Sequence, residues 1–270
     1  MNIPEKMAAA LSAVKEKSPL VHHLTNYVTV NDCANIVIAI GASPVMADEL
    51  TEVEEMVSIA SALVLNIGTL NSRTIESMLA AGKKAKSLGI PIILDPVGVG
   101  ATTLRTNTAQ RIIDEVQPTV LRGNMSEIKV LAGLNVQTKG VDSVASEENG
   151  KVIAKKLALG WNCIVAITGK TDIVSDGKLV CQIDNGHRIL SDVSGTGCMA
   201  TSLIGAYCGA NQDYLTATVA GIVSMGLAGE LAQQSLTPEE GIGTFKIRLL
   251  DKIYNMTPEN LAKGSKVTCE

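Results

Sequence analysis

Several short apolar runs in this chain are bounded by Pro, Gly and Asn and separated by amphipathic stretches long enough for a helix. The clearest span residues 62–67, 91–95, 118–122 and 162–168. Strands buried on both faces read as continuous apolar runs, and parallel neighbours must be joined by a crossover, usually a helix. The intervening spacing predicts helices over 72–88, 103–116, 125–131 and 147–159, so that successive strands are separated by helix. The expected architecture is α/β, a mostly parallel central sheet flanked by helices.

Between Asp172 and Asn185 the pattern changes. Asp176-Gly177 lies between Ile173-Val174 and Leu179-Val180, a turn signal that predicts an antiparallel hairpin at the sheet edge. Beyond it the chain is expected to be helical to its end, over 195–209, 214–234 and 237–254. The last helix is expected to open on Thr237-Pro238-Glu239-Glu240, a capping box with proline at the first helical position. No linker, low-complexity tract or repeat interrupts the 270 residues, so a single domain is expected.

Composition narrows the function. With 46% hydrophobic but only 2% aromatic residues, the core must be packed with Ala, Val, Ile, Leu, Met and Gly, which speaks against base stacking. A formal net charge of −4 provides no electrostatic footprint for nucleic acid, so any anion must be bound locally. No apolar segment approaches the roughly 20 residues that span a bilayer, and Met1-Asn2-Ile3-Pro4-Glu5-Lys6 does not resemble a secretory leader. A cytoplasmic location is expected. The six cysteines contain no C-x-x-C pair, which argues against a zinc site or a disulfide framework. His22, His23 and His187 lack H-E-x-x-H spacing. His22 and His23 adjoin a possible strand end and could be packing or rim residues.

In open parallel sheets, ligands bind outside the carboxyl ends of the strands. Asp95 follows Ile92-Ile93-Leu94 and precedes Pro96, a carboxylate at such an end that either holds Mg²⁺ or starts a turn. Arg122-Gly123-Asn124-Met125-Ser126-Glu127 places a cation, an amide and a carboxylate at a second strand end. Asn124 and Glu127 also have the spacing of an ordinary helix cap. Arg122, at the end of a buried strand, suits a phosphate. Ser191-Asp192-Val193-Ser194-Gly195-Thr196-Gly197-Cys198 opens a small-residue helix on two glycines. Such a helix start is an anion site that phosphate can approach closely, or else a plain loop-to-helix turn. Gly169-Lys170-Thr171 is not a P-loop, because its first glycine would fall at Ile164.

Leu24-Thr25-Asn26-Tyr27-Val28, Ser43-Pro44-Val45-Met46, Leu94-Asp95-Pro96-Val97-Gly98, Arg122-Gly123-Asn124-Met125-Ser126-Glu127 and Gly195-Thr196-Gly197-Cys198 occur in this order. Together they resemble the hydroxyethylthiazole kinases, thiamine-salvage enzymes of the ribokinase-like superfamily. The resemblance covers nearly the whole chain. It implies a ribokinase-like fold and transfer of the ATP γ-phosphate to the alcohol of 4-methyl-5-(2-hydroxyethyl)thiazole. It also implies Mg²⁺ and a homotrimer with shared sites.

By the same resemblance Asn26, Val28, Met46 and Gly195 belong to the thiazole pocket, and Arg122 and Thr168 to the nucleotide. Asp95 and Glu127 belong near Mg²⁺ and the phosphates, with Asn124 supporting them. Cys198, with Gly195 and Gly197, is the catalytic turn, but it stands where the wider superfamily has an aspartate base, which leaves the base open. Two enzymes of the same fold stay in competition, a hydroxymethylpyrimidine kinase and an ATP-dependent dehydratase of hydrated nicotinamide cofactors. A nucleotide sensor without turnover is a third alternative.

Overall fold

The computed structural model describes residues 2–134 and 143–270. Six parallel strands lie side by side in the order β2 (Ser43–Met46), β1 (Leu20–Leu24), β3 (Ala62–Asn66), β4 (Ile92–Asp95), β5 (Val120–Asn124) and β6 (Ile164–Thr168). The sheet continues antiparallel through β7 (Asp172–Ser175), β8 (Val180–Ile183) and β9 (Val267–Cys269).

Successive side chains on a strand point to opposite faces, and this divides the core in two. Val21, Ala62, Val64, Ile93 and Val120 pack into one layer, while Leu63, Leu65, Ile92, Leu94 and Leu121 pack into the other. The first layer is covered by α1 (Ile3–Lys17), α2 (Val30–Ile40), α8 (Thr196–Ala210), α9 (Tyr214–Gln234), α10 (Ile242–Tyr254) and α11 (Pro258–Gly264). The second is covered by α3 (Val53–Ile59), α4 (Ser72–Leu88), α5 (Thr103–Glu115), α6 (Met125–Leu131) and α7 (Ser143–Trp161).

From β1 the chain crosses through α2 to β2 on one side, then through α3 to β3 on the other. The chain leaves the carboxyl end of β1 through α2 on one face and that of β3 through α4 on the other, toward opposite edges of the sheet, which makes the ends of β1 and β3 the switch point where open α/β sheets bind ligands.

The expected parallel sheet, its crossover helices and the edge hairpin are all present. Three expectations need correction. The chain is not helical to its end, because β9 returns to pair with β8. The register sets Cys181 opposite Cys269, and the two are bonded as a disulfide across 88 residues of sequence, a pairing that cysteine spacing does not reveal. The final long helix starts at Ile242, with Gly241 as its cap. At Thr237-Pro238-Glu239-Glu240 the Thr237 N–H does donate to Glu240 Oε2 at 2.7 Å, yet it closes an isolated turn ahead of Gly241 and Gly243.

A fourth reading also changes. By length and composition α9 is apolar enough to cross a bilayer, but 89% of its most apolar window is buried, so it is a core helix packed on α1, α8 and α10.

His22 and His23 are both buried in β1. His22 Nε2 lies 2.7 Å from the Ala47 carbonyl oxygen, and His23 is held between the Val21 oxygen at 3.0 Å and Ser202 Oγ at 3.1 Å. Burial pushes the His23 imidazole from 6.5 down to about 4. Between those two values the unfolded chain takes up a proton that the folded one refuses, so stability falls as pH drops through this window. We predict that the thermal midpoint falls less steeply from about pH 7 to about pH 4.5 in His23→Gln than in the parent. Asp172, whose carboxyl burial raises to about 6, acts in the opposite direction and cancels in the comparison because both proteins carry it. Equal slopes would show that His23 does not contribute.

Candidate active site

Strand register assembles the polar strand ends. Asn66 ends β3 beside Asp95 at the end of β4, and Asn124 ends β5 beside Thr168 at the end of β6. Asn26 lies just beyond β1. Facing them is the first turn of α8, capped by Gly195 with φ 89°, a left-handed conformation that L side chains rarely adopt. A Cβ at Gly195 would also lie 2.5 Å from Thr29 Cγ2, and one at Gly197 would lie 2.9 Å from Arg122 Nη1. The two glycines therefore let the start of the helix press directly onto the strand ends.

That contact delivers Cys198 into a chain of side-chain amides. Asn26 Nδ2 donates to Cys198 Sγ at 3.3 Å and to Asn66 Oδ1 at 3.0 Å. Asn66 Nδ2 donates to the same sulfur at 3.2 Å and to Asp95 Oδ2 at 3.0 Å. Thr201, one turn further along α8, donates its hydroxyl to Asp95 Oδ2 at 2.8 Å, and Arg122 Nη1 stands 3.8 Å from that oxygen. Burial holds the Asp95 carboxyl above its ordinary value, against the opposing pull of Arg122 and of the Thr201 and Asn66 hydrogen bonds.

Arg122 is itself nearly buried, and its Nε has no hydrogen-bond partner. An unpaired buried guanidinium nitrogen is costly, and an anion at this rim would lower that cost. Arg122 borders a cavity of about 840 Å³ that is also lined by Thr168, Asp172, Asn185, Thr196 and Gly197. Thr168 Oγ1 lies 3.4 Å from the Gly123 carbonyl oxygen, and Asp172 accepts the Gly169 N–H at 2.8 Å.

Asn124 and Glu127 form the helix cap that their spacing allows. Asn124 Oδ1 accepts the Glu127 N–H at 3.0 Å, while Glu127 accepts from the Asn124 N–H and, through its other oxygen, from the Gly98 N–H, both at 2.8 Å. Glu127 thereby ties β5 to the loop after β4. Among the described residues no group of three or more His, Cys, Asp or Glu side chains is arranged to hold a metal. A cation here would have to draw most of its ligands from substrate and water, as Mg²⁺ commonly does.

Met46 ends β2 half-buried, and Val28 is 70% exposed. Neither lines the cavity, nor do Asn26 and Cys198. Asn66 and Thr201 are absent from the sequence-derived candidates. Asn66 carries the same signal as Asp95, a polar residue closing an apolar strand, whereas Thr201 has none.

Because only the end of a flexible side chain opposes a Cβ at Gly197, we predict that Gly197→Ala folds with Arg122 displaced. Binding of a nucleoside triphosphate weakens by about tenfold, roughly one lost hydrogen bond to a charged group, while the thermal midpoint stays close to the parent's. Calorimetric titration that finds unchanged affinity would separate Arg122 from the anion.

A model of the hydroxyethylthiazole kinase family matches residues 11–259. The hydroxyethylthiazole kinase of Alkaliphilus oremlandii is 56% identical over 268 residues, covering 99% of each chain. The solved structure of the hydroxyethylthiazole kinase of Pyrococcus horikoshii superposes with a TM-score of 0.89 at 40% identity, covering 98% of each chain. Pyridoxal kinase of Staphylococcus aureus in complex with ADP shares the fold alone, with a TM-score of 0.61 at 15% identity over 77% of this chain and 86% of the other. These whole-length matches mean that this chain belongs to the hydroxyethylthiazole kinase family.

Proposed function

We propose that the protein transfers the γ-phosphate of ATP to the primary hydroxyl of 4-methyl-5-(2-hydroxyethyl)thiazole. The observation that carries this reading is the nearly buried Arg122, one nitrogen unpaired, set against the first turn of α8 at the rim of the large cavity and beside Cys198. Phosphoryl transfer asks a protein mainly for positioning and for stabilisation of charge. Arg122 and the backbone amides of Thr196, Gly197 and Cys198 supply positive potential on one side, and the cavity beyond Thr168 holds the nucleotide. When bound, Mg²⁺ neutralises charge on the phosphates. Asp95 would hold it together with Glu127, whose two oxygens already take backbone N–H groups and so offer one remaining lone pair each.

The sulfur of Cys198 accepts two N–H donors and stands where the hydroxyl proton has to go. Asn26, Val28, Met46 and Gly195 form the thiazole side of the site in this reading. Val28 is exposed and Met46 only half-covered in one chain, which suits a homotrimer in which a neighbouring subunit closes the thiazole pocket.

ADP release with and without the thiazole alcohol tests the assignment directly. Turnover that needs the alcohol supports it, and hydrolysis or silence in its presence would sink it. For Arg122→Ala we expect ATP to bind more weakly by about 1.5–3 kcal/mol, the range for a hydrogen bond to a charged group, with the affinity for the thiazole alcohol kept. For Cys198→Asp, steady-state rates under saturating MgATP and alcohol should equal or exceed the parent's kcat, because a carboxylate is ionised at neutral pH and accepts a proton. Cys198→Ala should be slower yet active, since a loose transition state needs only modest help from a base. A folded but inactive aspartate variant, or an alanine variant as fast as the parent, would remove Cys198 from proton transfer.

A further inference from the structure

The side chain of Asn66 is 2% exposed and every one of its hydrogen-bonding positions is used. Its two amide hydrogens go to Asp95 Oδ2 at 3.0 Å and Cys198 Sγ at 3.2 Å, and its oxygen takes Asn26 Nδ2 at 3.0 Å and the Gly68 N–H at 2.9 Å. The orientation of the carboxamide follows from its partners. A backbone N–H can only donate, so Oδ1 must face Gly68 and the NH₂ must face the carboxylate and the sulfur. The same reasoning fixes Asn26, whose Oδ1 accepts the Thr29 N–H at 3.1 Å.

A buried asparagine whose only task is to fill space would be expected to spend its donors on backbone carbonyls, where most side-chain hydrogen bonds go. Both donors of Asn66 instead go to two side chains assigned to the reaction, one on β4 and one on α8.

We propose that Asn66 is a positioning residue for phosphoryl transfer, a single NH₂ group that holds the Cys198 sulfur and the Asp95 carboxylate in register across the gap between sheet and helix. No other natural side chain of this size supplies two donors on one nitrogen with an acceptor beside it. Aspartate has the shape of Asn66 but sets a carboxylate against a carboxylate and a sulfur, and alanine leaves both without their common donor. The proposal rests on the kinase reading above, in which Cys198 and Asp95 act on the transferring group.

The test uses the full-length protein with Asn66→Asp, Asn66→Ala and the double variant Asn66→Ala/Cys198→Ala. Loss of one or two hydrogen bonds to a charged or reacting partner lowers kcat by about 10- to 100-fold. The KM values for ATP and the thiazole alcohol stay within about threefold, since the Asn66 side chain is buried with all its hydrogen-bonding positions taken by protein groups, and a two- to threefold change in KM is worth under about 1 kcal/mol. Asn66→Asp is at least as slow as Asn66→Ala despite its matching shape, and Asn66→Ala costs less kcat when Cys198 is already alanine, because part of its effect acts through that sulfur.

A second readout needs no substrate. Among the described free cysteines Cys33, Cys163 and Cys208 are buried and Cys198 is half-buried, so iodoacetamide alkylation followed by mass spectrometry reports on Cys198. Asn66→Asp replaces an N–H donor at the sulfur by a carboxylate, and its alkylation is several-fold slower than the parent's. An unchanged kcat, a rise in KM alone, strictly multiplicative losses in the double variant, or an alkylation rate equal to the parent's would each overturn the proposal. If Asn66→Asp does not fold, Asn66→Ala and the double variant decide it. A parent enzyme that fails to phosphorylate the thiazole alcohol would sink the function, while the alkylation rates would still decide whether Asn66 governs the sulfur.

Discussion

The first turn of α8 lies so close to the ends of β1, β3 and β4 that side chains from the helix and from the strands interlock. Cys198 reaches Asn26 and Asn66, Thr201 reaches Asp95, and Arg122 lies flat against Gly197. None of these contacts survives if the helix start moves outward by the width of a methyl group. Most of the polar groups at this junction are buried, and a buried polar network is worth its desolvation only when its members find partners. The amides of Asn26 and Asn66 meet that demand in full. Arg122 does not, because its Nε has no hydrogen-bond partner.

Several structures outside the junction hold its two halves in place. Arg105 donates to the Ile67 and Gly68 carbonyls after β3 and to the Val97 carbonyl after β4, at 3.0, 2.7 and 2.6 Å, so one guanidinium fixes the two loops that follow Asn66 and Asp95. Glu127 joins the same β4 loop to β5. On the far side of the cavity Asn185 accepts the Lys266 N–H at 2.7 Å and donates to the Gly264 carbonyl at 2.9 Å, while Glu230 takes the Gly186 N–H at 2.8 Å. The return of the chain to form β9, tied by the Cys181–Cys269 disulfide, therefore also anchors the loop that lines the cavity.

The site divides physically into a finished part and an open part. The cavity beside Arg122 is lined by the ends of β5 and β6, the first turn of α8 and the loops of the antiparallel strands. The proposed thiazole end is different, since Tyr27 and Val28 are 60% and 70% exposed. Exposed apolar side chains next to a buried polar centre are what an incomplete pocket looks like before a second surface covers it.

The central strands, the crossover helices and the edge hairpin were legible in the chain, because apolar runs closed by polar residues and an Asp-Gly turn are local patterns with local causes. The strand-end rule that singled out Asp95 and Arg122 applied equally to Asn66, whose neighbour Ile67 disguised the end of the run. The glycines at 195 and 197 marked a helix start open to anions, but only the packing shows that a side chain at 195 would strike Thr29 and one at 197 would displace Arg122. Tertiary structure alone decided the rest. The strand β9 and the cysteine pair depend on a return of the chain over 88 residues, and no local pattern encodes which distant edge a short strand will join. Helix α9 looks fit for a bilayer in isolation and is a core helix in context. Cys198 is one small residue in the sequence, and it becomes the meeting point of a buried polar network only because register and helix packing bring two asparagine amides, forty residues apart, onto the same sulfur.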